Sequence, residues 1–241
     1  MKTKLMIFIF AFSLSVIACN RSTAAQNNEN NVKTDKNFDL TGFTQINLST
    51  SADVVLTQAE SFNVKVEATE SDLEKLEIYV EGTKLVIKTK NWKDFSDKVT
   101  VYVSLPKLEA VVLSGSGNVT AANLVNTENL DLVISGSGNI RFDNLAAVSY
   151  NCTISGSGNM SLAGTKRAQS GHLTISGSGN INSEKISTGE VTASIAGSGD
   201  MNVAAEETLK ARISGSGDIS YIGNATIDAK VTGSGSIKGN R

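Results

Sequence analysis

The chain has 241 residues but only one proline, one histidine, two cysteines and 5% aromatic residues. A single proline excludes collagen-like and proline-rich stalks, whose composition is dominated by Pro and Gly. A single histidine excludes a His-rich metal centre, and it leaves His172 as the sole candidate base for a Ser-His-Asp arrangement. Two cysteines cannot build a disulfide framework. Lys and Arg number 22 against 24 Asp and Glu, a net charge of −2, so no basic field exists to hold a nucleic acid. With 40% apolar and 19% charged residues the chain can bury a core and is not disordered as a whole.

What is present is glycine in one arrangement. Of 21 glycines, 14 lie in seven Gly-Ser-Gly triplets between Gly115 and Gly235. The copies are SGSGN at Ser114, Ser135, Ser155 and Ser176, AGSGD at Ala196, SGSGD at Ser214 and TGSGS at Thr232. Successive copies are 21, 20, 21, 20, 18 and 18 residues apart. An aliphatic residue precedes each (Leu113, Ile134, Ile154, Ile175, Ile195, Ile213, Val231), and another apolar residue follows each. Leu48-Ser49-Thr50-Ser51-Ala52-Asp53-Val54 keeps the same frame without the glycines and reads as an eighth, degenerate copy.

A helical repeat needs about 33 residues or more. The period-2 flanks rich in Val, Ile and Leu point instead to strands. Twenty residues at about 3.3 Å each suit one coil of a parallel β-helix. The sequence therefore predicts an all-β fold, a parallel β-helix of about seven to eight coils of 18–21 residues. Glycine is expected at its corners for positive-φ conformations.

Val111, Leu132, Cys152, Leu173, Ala193, Ala211 and Ala229 should form one inward column, narrowing from Leu to Ala where the step shortens. Cys152 then reads as a small buried hydrophobe rather than a reactive thiol. Asn118, Asn139, Asn159, Asn180, Asp200 and Asp218, with Ser236 last, should stack as a structural ladder. Strict alternation sends Ser and Asn outward, but a positive-φ glycine can break that parity, so their direction stays open.

The chain divides by composition into residues 1–18, 19–37, 38–106 and 107–241. Met1-Lys2-Thr3-Lys4 is a basic start, followed by an apolar run, Leu5 to Val16, too short to span a bilayer but suited to a signal-peptide core. Val16-Ile17-Ala18-Cys19 resembles the bacterial lipobox, which implies cleavage before Cys19 and its lipidation. Several acyl chains on one residue give stable anchoring. Residues 19–37 are polar and Asn-rich and are expected to be a flexible tether. The expected location is the bacterial cell envelope, as an outer-membrane lipoprotein whose facing the sequence leaves open.

Residues 38–106 form a β-rich section expected to cap or join the repeats of 107–241. Its strand-like runs are Gln45–Leu48, Val54–Gln58, Phe62–Ala68, Leu76–Val80, Leu85–Lys90 and Val99–Leu105. Glu81-Gly82-Thr83 predicts a hairpin, and Ser71-Asp72-Leu73-Glu74 a capped helical turn. The last coil reaches Gly239-Asn240-Arg241 without an evident cap, so its end is expected to be covered by another subunit or marginally ordered.

These residues together resemble the bacterial head GIN domain family of putative autotransporter adhesins. The resemblance rests on Phe43-Thr44-Gln45-Ile46-Asn47-Leu48, Asp53-Val54-Val55-Leu56-Thr57-Gln58, Lys84–Lys90, Val99–Pro106 and the SGSGN series, in that order. It implies a β-helical fold and an envelope location, and carries over no catalytic motif.

A polysaccharide-cleaving lyase or hydrolase is the rival activity, but it needs clustered carboxylates on longer loops than these coils have. Arg141, Asp143, Lys166, Arg167, Arg212 and Asp228 are scattered. Calcium-binding β-roll repeats recur about every nine residues. Here only Asp200 and Asp218 of the ladder are acidic, so no metal and no other cofactor is expected. Trp92 and Phe95 lie in a polar loop and are candidate contacts for a sugar or protein; the plainer reading is that Trp92 covers the junction of the two halves. The sequence thus predicts a non-enzymatic, lipid-anchored adhesin or binding module for glycan or protein. The alternative is a non-binding structural envelope protein that self-assembles, as a homo-oligomer, through the C-terminal end.

Overall fold

The computed structural model describes residues 32–92 and 94–240. The expected signal segment, the lipobox-like Val16–Cys19 stretch and the expected tether as far as residue 31 lie outside the described residues. The remainder of the expected tether is not a linker: Lys33–Phe38 forms β1, which pairs antiparallel with β4 (Asn63–Thr69) through the register Lys33↔Thr69 to Phe38↔Val64. Its Lys/Asp-rich sequence gave no apolar alternation to signal a strand. The pairing comes from the backbone and from the Lys65–Asp35 ion pair at 3.1 Å.

The rest is an all-β parallel solenoid of about six turns. Seven repeat copies delimit six full turns, which is why the count falls slightly below the number of copies. The apolar residues before the glycines stack in register, from Leu48 and Leu113 through Ile134, Ile154, Ile175, Ile195 and Ile213 to Val231. The residues after them stack likewise, from Val119 through Ile140, Met160, Ile181, Met201 and Ile219 to Ile237. The inward column also forms, Val111 to Ala229, and is buried as far as Ala211. Changes in coil length are absorbed away from the glycine corner, by register shifts between Ser183 and Thr188 and between Thr188 and Glu190.

The glycines have a different cause from the one their corner position suggests. Of the fourteen, only Gly215 and Gly233 have left-handed φ, at 145° and 127°. A Cβ on any of the fourteen would lie within 3.0 Å of a backbone carbonyl oxygen of the preceding coil, for example Gly136 against Gly115 and Gly138 against Gly117. Close stacking of successive corners excludes a side chain at all fourteen, and backbone conformation adds to it only at Gly215 and Gly233. The close approach also carries hydrogen bonds, such as Ser157 N–H to the Gly136 carbonyl at 3.1 Å.

The N-terminal section shares this core. β2 (Gln45–Ser49) and β3 (Asp53–Gln58) form the coil beneath the first repeat, as the degenerate copy predicts. The chain then leaves the stack through β4, the helical turn α1 (Glu70–Lys75) and β5 (Leu76–Glu81). It returns as β6 (Lys84–Thr89) and β7 (Thr100–Leu105), which stack on the far side of β2 and β3. The repeats then follow as β8 (Ala110–Leu113), β9 (Val119–Ile134), β10 (Ile140–Ile154), β11 (Met160–Ala163), β12 (Ala168–Ile175), β13 (Ile181–Gly197), β14 (Met201–Gly215), β15 (Ile219–Ile222), β16 (Thr226–Gly233) and β17 (Ile237–Gly239). Spatial order therefore departs from chain order. β4 and β5 pair antiparallel with β7 and β6, and so close this end; Gly82-Thr83 is the expected hairpin turn. α1 is capped two residues earlier than expected, by Thr69 rather than Ser71; the Thr69 hydroxyl accepts from the Asp72 amide at 3.3 Å. Phe43, Ile46, Leu56, Val66, Leu85 and Val103 are all buried in one cluster with the repeat core.

Candidate functional site: the corner face

Each five-residue corner turns its residues in a fixed order. Ser135, Ser137 and Asn139 are exposed, Gly138 is buried, and the pattern repeats at Ser155, Ser157 and Asn159 and at Ser176, Ser178 and Asn180. The open question of direction is settled: Ser and Asn face solvent, and the second glycine faces the core. The carbonyl contacts described above hold the corners in register. Strands about 4.8 Å apart then make two Ser columns and one Asn/Asp column roughly 30 Å long.

The Asn/Asp column is a directional hydrogen-bonded ladder. Asn139 Nδ2 donates to Asn118 Oδ1 at 2.8 Å, Asn159 Nδ2 to Asn139 Oδ1 at 3.0 Å and Asn180 Nδ2 to Asn159 Oδ1 at 3.0 Å. The backbone N–H groups of Asn159 and Asn180 donate to the same oxygens at 3.1 Å; Asp200 and Asp218 lack an amide donor and keep only this backbone bond, to Asn180 Oδ1 and Asp200 Oδ1, each at 2.8 Å. Ser236 ends the series by donating its hydroxyl to Asp218 Oδ1 at 2.7 Å. That bond, with the Ser236 amide and nearby Lys238, holds the Asp218 carboxyl below its ordinary range.

The head of the ladder is Asp53, in the degenerate copy. Its Oδ1 accepts from Asn118 Nδ2 at 2.8 Å, and Lys98 Nζ lies 3.1 Å from its Oδ2. Partial burial pushes this carboxyl up, but the Asn118 and Lys98 contacts together outweigh burial and hold it below its ordinary range. The frame of the degenerate copy marks Asp53 as an equivalent of Asn118; what the sequence does not show is that an acceptor-only residue starts the ladder.

Lys98 belongs to the connection between β6 and β7, which occupies the corner position next to the Thr50–Asp53 turn. Trp92 ends a short 3-10 turn there, and its side chain lies outside the described residues. Phe95 is half-buried and packs against the core cluster, so only part of its ring is open to a ligand. The connection is pinned by Asp72, a residue legible only as part of a helical turn. Its fully buried carboxylate accepts from the amides of Ser96 (2.8 Å) and Asp97 (3.0 Å) and from Lys75 Nζ (2.8 Å). Burial raises its carboxyl, and the Lys75, Ser96, Asp97 and Thr69 bonds together bring it below the ordinary value. No local pattern joins positions 72 and 96.

Other candidates are bland. His172 is exposed, and the glycine before it has a packing cause: a Cβ on Gly171 would meet the ring of Tyr150 at 2.7 Å. Tyr150 is buried with its hydroxyl 3.0 Å from Thr188 Oγ1. Cys152 is buried, and burial pushes its thiol far up, away from the reactive thiolate. Among the described residues no cluster of three His, Cys, Asp or Glu could hold a metal ion, and no helix is long and apolar enough to cross a membrane.

A repeat solenoid closed at one end, with a laddered polar corner, defines a class of β-helical domain, and comparison gives that class a name. Residues 42–225 match the family described as "Putative auto-transporter adhesin, head GIN domain", and the chain belongs to it. The chain is similar to the crystal structure of a putative adhesin from Bacteroides fragilis. Identity there is 26%, the TM-score is 0.83, and the match covers 87% of this chain and 97% of that one. A putative adhesin from Parabacteroides merdae is similar at 25% identity, with a TM-score of 0.71 and coverage of 89% and 98%. A putative lipid binding protein from Parabacteroides distasonis shares the fold at 22% identity, with a TM-score of 0.75 and coverage of 87% and 97%. No match was found among curated proteins.

Proposed function

We propose that this protein is an adhesin-type binding module of the bacterial cell envelope. It is held to the outer membrane by a lipid on Cys19 and engages a glycan or protein polymer with its corner face. The observation that carries the reading is the face itself: exposed Ser and Asn columns in register, held rigid by glycine contacts and a side-chain ladder. A rigid array of hydroxyls and amides loses little entropy on binding and matches a ligand that also repeats. The Trp92–Phe95 connection lies at the N-terminal end of this face and would supply an aromatic end contact. The family's adhesin description and the scattered placement of acidic groups support binding rather than catalysis.

The test is a screen of the unlipidated Cys19→Ser protein on arrays of linear polysaccharides and extracellular-matrix proteins, with membrane fractionation of Cys19→Ser beside wild type. Specific retention on one polymer class, and loss of Cys19→Ser from the membrane fraction, are expected. Absence of retention would instead favour a structural envelope component that assembles through its ends, a reading supported by the one-sided pairing of the strand Thr226–Gly233 among the described residues.

A further inference from the structure

The two ends of the solenoid are built differently. At the N-terminal end the outermost strands are β1, beside β4, and β5, beside β6; β1 carries Lys33, Asp35 and Lys36 and β5 carries Glu77 and Glu81, charges that blunt an edge. At the other end, β16 (Thr226–Gly233) pairs with β14 (Met201–Gly215) on one side only, among the described residues. Eight residues of strand edge are thus left open. Ala229 and Val231, which continue the buried columns of Ala211 and Ile213, are exposed, Val231 by 41%.

The sequence of β16 is complementary to itself. If two copies meet as antiparallel strands with Ala229 opposite Ala229, Thr226 faces Thr232, Ile227 faces Val231 and Asp228 faces Lys230, each pair occurring twice. Lys230 stands in register beside Arg212, a like charge, and makes no ion pair among the described residues. Asp228 is already oriented by Arg212 Nη2 at 2.6 Å and keeps its other oxygen available. A lone lysine on an edge opposes pairing, whereas a lysine two residues after an aspartate favours pairing in this one register. The apolar residues of one end would cover those of the other, and the sheet would run on through the two-fold axis, as an isologous contact requires.

We propose that the C-terminal end is a homodimer interface in which β16 pairs antiparallel with β16 of a second copy, centred on Ala229. The contact puts the two corner faces on opposite sides of one continuous axis, with the two β1 ends pointing away. It does not depend on the binding role of the corner face.

The test is oxidative cross-linking of the full chain in its own envelope, with Ala229→Cys and Thr226→Cys introduced separately. Facing residues of an antiparallel pair have Cα atoms about 4.5–5.5 Å apart, within disulfide reach, so Ala229→Cys forms a covalent dimer. Two copies of residue 226 would be about 20 Å apart, so Thr226→Cys does not. Buried Cys152 does not interfere. Lys230→Glu, which substitutes an exposed residue, sets like charges opposite each other twice and weakens dimerisation roughly tenfold in sedimentation of the extracted protein. Three results would overturn the proposal: no dimer from Ala229→Cys, equal cross-linking from Thr226→Cys, or a monomer whose β16 amides are already protected from exchange.

Discussion

The corner from Leu113 to Val119 and the connection from Ile87 to Val101 do the same topological job with different chemistry. Both link strands that pair with Leu48 and Val54 of the same coil, one on each side of it. The first needs five residues and the second thirteen. The short corner has neighbours above and below, so its glycines are dictated by the carbonyls they touch and its Asn by the ladder. The long connection lies at the end of the stack, is free to bulge, and is held from the side by Asp72. The Thr50 and Ala52 turn between them explains the degenerate copy. It supplies the carbonyls that Gly115 and Gly117 touch, yet on its other side it meets the long connection and can carry side chains. A repeat residue is thus set by its neighbour in the stack rather than by its own turn.

The largest effect that would break this comparison is at an interior corner. Gly158→Ala drives a Cβ into the Gly138 carbonyl and should destabilise the fold by about 3–5 kcal/mol in urea unfolding. Gly235→Ala makes the equivalent contact in the last coil, which can shift outward, and should cost about 1 kcal/mol. Equal costs would mean that stacking is not what selects glycine.

Asp72→Ala tests the other solution. It leaves the Ser96 and Asp97 amides and Lys75 without their acceptor and should cost about 2–4 kcal/mol. Hydrogen exchange should show opening of residues 94–99 and an unchanged repeat core.

The acidic arm of the stability curve sharpens the contrast. Asp53 and Asp72 have carboxyls below their ordinary range in the fold. Their contribution is present above the unfolded-state value, about 3.9, and is lost as pH falls through the lower folded-state values. Below about pH 4 the N-terminal end should therefore lose stability, as should the last coils through Asp218, and the Asp53→Asn, Asp72→Asn double variant should remove the N-terminal share of that loss. The Asn118–Asn180 stretch of the ladder carries no titrating group and should not respond.

The smallest effect is at Asp200. Asp200→Asn supplies the Nδ2 donor that Asn159 and Asn180 use and removes a carboxylate one coil from Asp218. It should raise stability by about 0.5 kcal/mol, read as a small increase in the urea midpoint.

The repeat half was largely legible in the sequence, because stacking copies one environment many times. The columns headed by Val111 and Leu113 and the ladder from Asn118 follow from spacing alone. The cause of the glycines was not legible, because a positive-φ turn and a close approach leave the same residue behind. The order of the N-terminal strands was hidden too, since alternation in β6 and β7 marks which residues face inward but not which side of β2 and β3 they stack on. The role of Asp72 is not legible, because the Ser96 and Asp97 partners that tie the connection to it lie more than twenty residues away and are backbone amides. At the site, the Ser and Asn columns were identified but not their direction, which depended on Gly138 and its equivalents facing the core.

The central claim is that the corner face, rather than the Trp92 connection, is the main binding surface. It is tested most directly by measuring the affinity of the retained polymer for wild type, for Ser137→Arg/Ser157→Arg and for Trp92→Ala. Both serines are exposed, so the double variant should fold as wild type. The account predicts that it loses at least about tenfold in affinity, near 1.4 kcal/mol, while Trp92→Ala loses less. Full affinity in the double arginine variant, with binding abolished by Trp92→Ala, would contradict it.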